Sequence, residues 1–293
     1  MERYFEAAQR RLKIINLDPA AEIFGYNVAV DIRDLISLED VAEELDYGPN
    51  GGLVFCMEHL AQNLDWLRNE FDAIGPSDDE YFIVDCPGQI ELFTHIPVMR
   101  KVCDAFKSWD ISVCGVYLID ALFIDDPAKY ISGTMMALST MVQLEIAHIN
   151  VISKCDLKDS ASGTLNVPPD DGLDGGFDAD LGPGKVEDYL VPDTMRLRNM
   201  IDTIHAGASP SFKRLHEAIC SLIDDYTMVN FVALNIQDDE SIELVLAHVD
   251  NAMQYGEDLE PKEPKYDEVD DDMVATTERL MQENMEMLQG LKE

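Results

Sequence analysis

Short apolar runs rich in β-branched residues alternate along the chain with longer stretches in which apolar residues recur at helical spacing. Continuous apolar runs of this length are typical of strands buried on both faces. The alternation predicts an α/β fold, a mostly parallel sheet with helices on both faces and ligands outside the carboxyl ends of the strands. The predicted strands are 12–17, 81–85, 113–119, 148–153 and 229–234, and the predicted helices are 53–71, 97–109, 126–145, 211–226 and 239–255.

Two segments interrupt the alternation. Residues 158–187 are rich in Gly, Pro and Asp and carry almost no large apolar side chain, which predicts a disordered insertion. Residues 256–272 predict an acidic linker, and the Met-rich spacing of 273–293 predicts an amphipathic helix. These segments divide the chain into an α/β domain over 1–255 with its insertion, the linker and the last helix. A solvated tail is favoured over one that binds a basic client.

The charge is strongly acidic, with 58 Asp and Glu against 21 Lys and Arg and a net charge of −37. This charge opposes binding to nucleic-acid phosphates or to an anionic membrane. The apolar run 113–119 is far shorter than the roughly 20 residues of a spanning helix, and the first residues lack a signal-peptide pattern. We therefore expect a cytoplasmic protein without direct nucleic-acid or membrane contacts. The six cysteines show no CxxC spacing, which favours buried thiols over disulfides.

The segment VDCPGQIE (84–91) places an acid at the end of a predicted strand and follows it with Pro87 and Gly88. A glycine there lets a backbone amide approach a phosphate without a Cβ in between. Asp85 would then face a magnesium ion, because Mg²⁺ prefers carboxylates and substrate phosphates. A plain strand-to-turn junction is the alternative interpretation.

The segment SKCD (153–156) follows a later predicted strand and is similar to the guanine-reading NKxD signature, with Ser153 in place of the usual Asn. The carboxylate of Asp156 can accept two hydrogen bonds from guanine, while the stem of Lys154 covers one face of the base. A solvated turn is the alternative. The order of the two motifs, about 70 residues apart, is the GTPase layout. Asn235 stands at the end of a further predicted strand. GTPases place a backbone amide against the base at the corresponding position.

The segment YGPNGGL (47–53) contains Gly48, Pro49 and Asn50 and predicts a turn in front of a helix. Composition alone favours an ordinary turn. Together, however, NLDPA (16–20), GPN (48–50), DCPGQIE (85–91) and SKCD (153–156) resemble the GPN-loop GTPase family over residues 6–260. Within the family, the segments 51–58, 131–141, 221–226 and 254–260 are most similar to the third eukaryotic paralogue.

The resemblance implies a P-loop NTPase-like fold, GTP and GDP as ligands, Mg²⁺ as cofactor and GTP hydrolysis in a dimer. The partner is a second copy or the first paralogue of the family, and the implied biology is assembly and nuclear import of RNA polymerase II, with contacts to its subunits and shuttling to the nucleus. The GPN loop of each subunit would reach the nucleotide of the other. In this sequence the implied catalytic residues are Asn50, Gln89, Glu91 and Asp18, and the implied magnesium ligands are Asp85 and Asp18. The implied nucleotide-binding residues are Gly88, Lys154, Asp156 and Asn235.

The family pattern begins with a strand and a phosphate loop, GxxxxGK[ST], and the 293 residues contain no such motif. Residues 1–13 fit only the end of the helix that follows the loop. We therefore expect a sheet whose first strand is missing beside 81–85, with two unpaired edges, and nucleotide binding weakened by about 5 kcal/mol. Three interpretations stay open: an incomplete or alternative start of an ordinary member, a nucleotide-poor non-catalytic subunit of a dimer, and an unrelated acidic α/β interaction protein.

Overall fold

The computed structural model describes residue 5 and residues 10–75, 80–161, 185–204, 209–226 and 228–255. The predicted linker 256–272 and the predicted helix 273–293 lie outside the described residues, as do residues 162–184 of the predicted insertion. Residues 158–161 of that insertion belong to the helix Cys155–Ala161, and its last residues enter the 3₁₀ helix Val186–Tyr189.

The strands of the described residues form two three-stranded sheets, in which every pair of neighbours is parallel. The parallel pairing confirms the predicted fold class. The first sheet has the order β2-β1-β3 and the second the order β4-β5-β6. The strands are Arg11–Asn16 (β1), Val28–Asp31 (β2), Glu80–Asp85 (β3), Cys114–Asp120 (β4), Ala147–Ser153 (β5) and Phe231–Ala233 (β6).

The predicted helices 97–109, 126–145, 211–226 and 239–255 are observed within two residues of their predicted ends, and several helices begin at a polar cap. Ser37, Asp126, Ser209 and Asp238 each accept a hydrogen bond from a backbone N–H of the first turn, which satisfies one of the orphan donors there. The helices are Leu38–Leu45 (α1), Pro49–Gln62 (α2), Leu64–Ile74 (α3), Glu91–Thr94 (α4), Val98–Ser108 (α5), Pro127–Leu144 (α6), Cys155–Ala161 (α7), Thr194–Ile204 (α8), Pro210–Asp225 (α9) and Asp239–Met253 (α10).

The predicted helix 53–71 is wrong as a single helix. The backbone leaves helical geometry at Asn63, with φ −119° and ψ 38°, so that α2 ends there and α3 begins after it. The Asn63 side chain donates to the carbonyl of His59 at 2.8 Å and satisfies an acceptor of the last turn of α2.

The two sheets share one apolar cluster beneath α10. It joins Tyr81 and Ile83 of β3 to Cys114 of β4 and Val151 of β5. Within the described residues no strand pairing joins β3 to β4, so each has only one neighbour. This agrees with the two unpaired edges expected from the sequence. None of the described helices has the length and apolar character needed to cross a membrane.

Candidate functional site

The carboxyl ends of β1 and β3 hold the two predicted magnesium ligands. The buried Asn16 at the end of β1 accepts from the Asp18 amide at 2.9 Å and donates to the Asp18 carbonyl at 3.0 Å. One step further, the Leu17 amide donates to the Asp85 carbonyl at 2.8 Å, which ties the two strand ends together. The two carboxylates therefore stand on a rigid edge, the place where open α/β sheets bind ligands.

Tyr26 is part of this edge, although no motif in the sequence points to it. Its hydroxyl donates a hydrogen bond to Asp85 Oδ2. Burial, the bond to Asp85 and the negative charge of Asp85, Asp18 and Asp31 raise the pKa of Tyr26 to about 12. The phenol therefore stays protonated at neutral pH and remains a donor to the carboxylate.

A series of contacts fixes the position of Tyr26. Its ring packs on Phe24 with centroids 5.2 Å apart, and the Arg33 guanidinium lies 4.6 Å from the centre of the Phe24 ring. Arg33 is held in turn by a two-pronged pair with Asp31 at the end of β2, the arrangement in which its planar fork binds best. The unpredicted strand β2 thus supports the loop that carries Tyr26.

The GPN motif is the first turn of α2, so the predicted turn in front of the helix is wrong. Gly48 is the N-cap residue, and Pro49 occupies the first helical position, where its missing N–H costs nothing. Asn50 is therefore carried on a helix end. Its Oδ1 accepts a hydrogen bond of 2.6 Å from Nε2 of Gln89, in the loop after β3. The structure brings together two of the residues that the resemblance assigns to catalysis.

The glycines near this contact have different roles. A Cβ on Gly52 would lie 2.7 Å from the Leu38 side chain, so Gly52 allows α1 and α2 to pack closely. A Cβ on Gly88 would meet no atom within 4 Å. Packing therefore does not require a glycine at Gly88, and its role toward a phosphate stays a prediction. Glu91 is exposed at the first position of α4.

The predicted base-reading loop follows β5. The hydroxyl of Ser153 donates to the Ile119 carbonyl at 2.9 Å, and the ammonium of Lys154 donates to Asp120 Oδ2 at 2.7 Å. Both partners lie at the end of the neighbouring strand β4. Serine at the position of the usual asparagine therefore ties this loop to β4.

The loop after β6 completes this end of the molecule. Gln237 Nε2 lies 3.5 Å from Asp156 Oδ2, and the Gln237 amide donates to Asn235 Oδ1 at 2.9 Å. The Asn235 amide donates to the Ser241 hydroxyl at 2.9 Å, so an approach of this amide to a base requires that bond to be exchanged. Neither Gln237 nor Ser241 was predicted, because their roles depend on contacts between distant parts of the chain.

The donor set at the ends of β1 and β3 fits magnesium in its usual protein environment. The described residues contain no group of three or more His, Cys, Asp or Glu side chains that would enclose a metal. Mg²⁺ is usually held by one or two carboxylates, with phosphate oxygens and water as the remaining ligands. Asp85 and Asp18 are the residues that would hold it, and the bound ion would neutralise charge on the phosphates.

The parallel sheets, the carboxylates at their carboxyl ends and the later Lys-x-Asp loop define an α/β protein of the nucleotide-binding GTPase class. A crystal structure of a GTPase in apo form from Pyrococcus abyssi has a similar fold, with a TM-score of 0.62. The two sequences are 18% identical, and the match covers 85% of this chain and 88% of the other. A family model described as a conserved hypothetical ATP binding protein matches residues 1–255.

Curated relatives are much more similar in sequence. A GPN-loop GTPase 3 from Dictyostelium discoideum is 44% identical over 264 residues, 90% of this chain and 84% of that protein. A protein with the same name from Danio rerio is 44% identical over 93% of this chain and 87% of its own length. The one from Saccharomyces cerevisiae is 42% identical over 91% of this chain and 90% of its own length. This chain belongs to the GPN-loop GTPase family. The resemblance to the third paralogue is confirmed by these relatives.

Proposed function

We propose that this chain binds guanine nucleotide with Mg²⁺ and hydrolyses GTP as one subunit of a dimer. The observation that carries the proposal is the contact between Asn50 and Gln89 of one chain, which places the GPN motif beside the loop after β3. In the dimer, Asn50 would exchange this contact for the nucleotide of the other subunit. Membership of a GTPase family supports the choice of nucleotide and reaction. The carboxylates of Asp18 and Asp85 at neighbouring strand ends support the use of magnesium.

In this proposal the chain contributes geometry more than covalent chemistry. Phosphoryl transfer depends mainly on positioning and on stabilising charge on the phosphate oxygens. Asn50 and Gln89 are neutral amides that donate to oxygen or orient water without adding charge. Glu91 stands two residues after Gln89, at the start of α4, where it can accept a proton from the attacking water. Asp156 and Lys154 select and cover the base.

The proposed cellular role is assembly and nuclear import of RNA polymerase II, with a second copy or the first GPN-loop paralogue as partner. Its support is the resemblance of the motifs to the family, together with the similarity to the third-paralogue proteins. A cytoplasmic protein that shuttles to the nucleus is part of the same proposal.

Phosphate release from GTP tests the proposed reaction. The purified chain, alone and mixed with the first paralogue, is assayed with Mg²⁺ at micromolar to millimolar GTP. Asn50→Ala is expected to lower kcat about 100-fold, as loss of a single positioned donor does in other enzymes. Asn251→Ala, at an exposed position of α10, is the control and should leave kcat unchanged. Absence of turnover in both preparations of the wild-type chain would overturn the proposal.

Base selection is tested separately with Asp156→Asn. An amide cannot accept both guanine donors, so the affinity for GDP relative to ADP should fall about 30-fold. Glu217→Gln, an exposed position on α9, serves as the control. An unchanged preference for guanine would remove Asp156 from the site.

A second candidate function is that of a nucleotide-poor, non-catalytic subunit of a GPN-loop heterodimer. It is favoured by one sequence observation, that no GxxxxGK[ST] motif occurs in the 293 residues. In that case the chain would form a stoichiometric complex with the first paralogue and bind no GDP up to millimolar concentration. Asp156→Asn, in this chain's own base-reading loop, would then leave the GTPase rate of the complex unchanged.

A further inference from the structure

Asp120, at the carboxyl end of β4, is absent from every motif that identified the base-reading loop. It stands opposite Ser153 in the parallel register of β4 and β5. Its Oδ2 accepts from the Lys154 ammonium at 2.7 Å, across 34 residues of sequence. We propose that Asp120 is a positioning residue that holds Lys154 in place as the platform for a purine base. This inference rests on the proposed function and deepens it.

The carboxylate of Asp120 is itself fixed. Its Oδ1 accepts from the Leu122 amide at 2.9 Å and caps the 3₁₀ helix Ala121–Asp125. The Leu122 amide, and after it the Lys154 ammonium, lower the pKa of Asp120. One oxygen is thus occupied by the backbone, and the other is aimed at Lys154.

Lys154 is held at both ends. Its backbone has φ 61°, in the left-handed region that costs a side-chain-bearing residue about 1 kcal/mol or more. A non-glycine residue in this region is typical of a site where the surrounding structure fixes the chain for a purpose. The preceding Ser153 is tied to the Ile119 carbonyl. With the backbone and the ammonium both fixed, the four-carbon stem between them has one preferred path along which a flat base can lie.

A second ion pair of the same kind provides a matched comparison. Lys158, one turn further along the chain, pairs with Asp125 at the other end of the same 3₁₀ helix. The two pairs share the residue types and flank the same 3₁₀ helix, with Asp120 as its N-cap and Asp125 as its last residue. Only the Asp120 pair involves a residue of the base-reading motif, so Asp125→Asn removes one ion pair from this junction without touching Lys154.

The experiment measures equilibrium binding of GDP and ADP with Mg²⁺, at micromolar to millimolar nucleotide, to the full chain. Asp120→Asn keeps an oxygen for the Leu122 amide and removes the charge that holds Lys154. We expect it to raise the Kd of GDP and of ADP by about the same factor, three- to fivefold, with a smaller effect at 1 M salt. Asp125→Asn should leave both constants unchanged. Asp156→Asn, by contrast, should change the ratio of the Kd of GDP to the Kd of ADP.

A double-mutant cycle separates positioning from a general structural effect. If Asp120 acts through Lys154, Asp120→Asn should weaken GDP binding in the wild-type background and have no further effect in Lys154→Met. Equal GDP affinity of wild type and Asp120→Asn would overturn this inference alone, as would an undiminished effect in Lys154→Met or an equal effect of Asp125→Asn. A wild-type chain that binds no GDP would overturn the proposed function, and this inference with it.

Discussion

At the residue scale, His148 is a half-buried titratable side chain outside the candidate site, and both of its ring nitrogens are shielded from solvent. It lies on β5, and a Cβ on Gly115 of β4 would come within 2.9 Å of its Nδ1, so that only glycine leaves room for the ring there. The ring also lies beside Tyr117, with centroids 6.4 Å apart. Burial lowers the pKa of His148 to about 4, because the charged imidazolium loses its hydration there.

This shift predicts a loss of stability in mild acid. The unfolded chain takes up a proton at His148 as the pH falls through about 6.5, whereas the folded chain does so only near 4. The contribution of His148 is therefore constant above pH 7 and falls by about 3 kcal/mol between pH 6.5 and pH 4. Urea unfolding gives the free energy of unfolding of wild type and of His148→Leu at each pH. Plotted against pH, the two curves should be parallel above pH 6.5 and separate only below it. Parallel pH profiles of the two proteins would contradict the prediction.

Sequence motifs identified some residues of the site, and the structure alone identified others. The two groups differ in the sequence distance between each residue and its partner. Asp85, Lys154 and Asp156 were predicted because they stand at fixed offsets from strand ends. Tyr26 and Asp120 were not, because each acts on a partner 59 or 34 residues away. Side-chain contacts over such distances depend on the register of strands and on loop conformation, which local spacing does not encode.

At the element scale, the start of α6 depends on one side chain. Asp126 accepts from the Ala128 amide at 2.9 Å, and Pro127 occupies the first helical position. Asp126→Ala removes the cap and should lower the free energy of unfolding by about 1 kcal/mol. Asp126→Ser keeps an acceptor at the cap and should change the free energy of unfolding by a few tenths of a kcal/mol at most. The urea midpoints of the two variants measure both changes, provided that the denaturant slope of the unfolding free energy is the same in each. Equal midpoints for Asp126→Ala and Asp126→Ser would refute the role of the cap.

Element type was predictable from periodicity and capping, whereas breaks and short elements were not. The helix predicted at 126–145 is observed as Pro127–Leu144, because its cap and apolar spacing agree. The predicted helix 53–71 divides at Asn63, and the four-residue strand Val28–Asp31 was not predicted. A strand so short has no periodicity of its own, and its pairing with β1 stabilises it in the fold.

At the scale of the whole molecule, the division into two sheets leaves β4 with an open edge. Val116 and Leu118 on this strand are 44% and 58% exposed. An edge strand with exposed apolar side chains is a template for pairing with another chain. The double variant Val116→Thr with Leu118→Thr places a polar β-branched side chain at both positions of the strand and should reduce aggregation on heating, measured by light scattering.

The control for this prediction is Ile236→Thr. Ile236 is 69% exposed, but it lies in the loop after β6, so its replacement should leave the scattering unchanged. Equal suppression of aggregation by both variants would mean that exposed apolar area in general, and not the open edge, drives association.

The sequence by itself determined the class of fold and the order of the motifs, and it predicted which residues read the base and bind magnesium. These follow from local spacing, because strands and caps place side chains at fixed offsets along the chain. The tertiary structure decided that β4 is the strand that carries the second unpaired edge, opposite the edge expected at β3. It also decided that Asn50 meets Gln89, and that Tyr26 and Asp120 orient residues of the site. Such contacts join residues that are distant in sequence, so they exist only once strand register and helix packing bring them together.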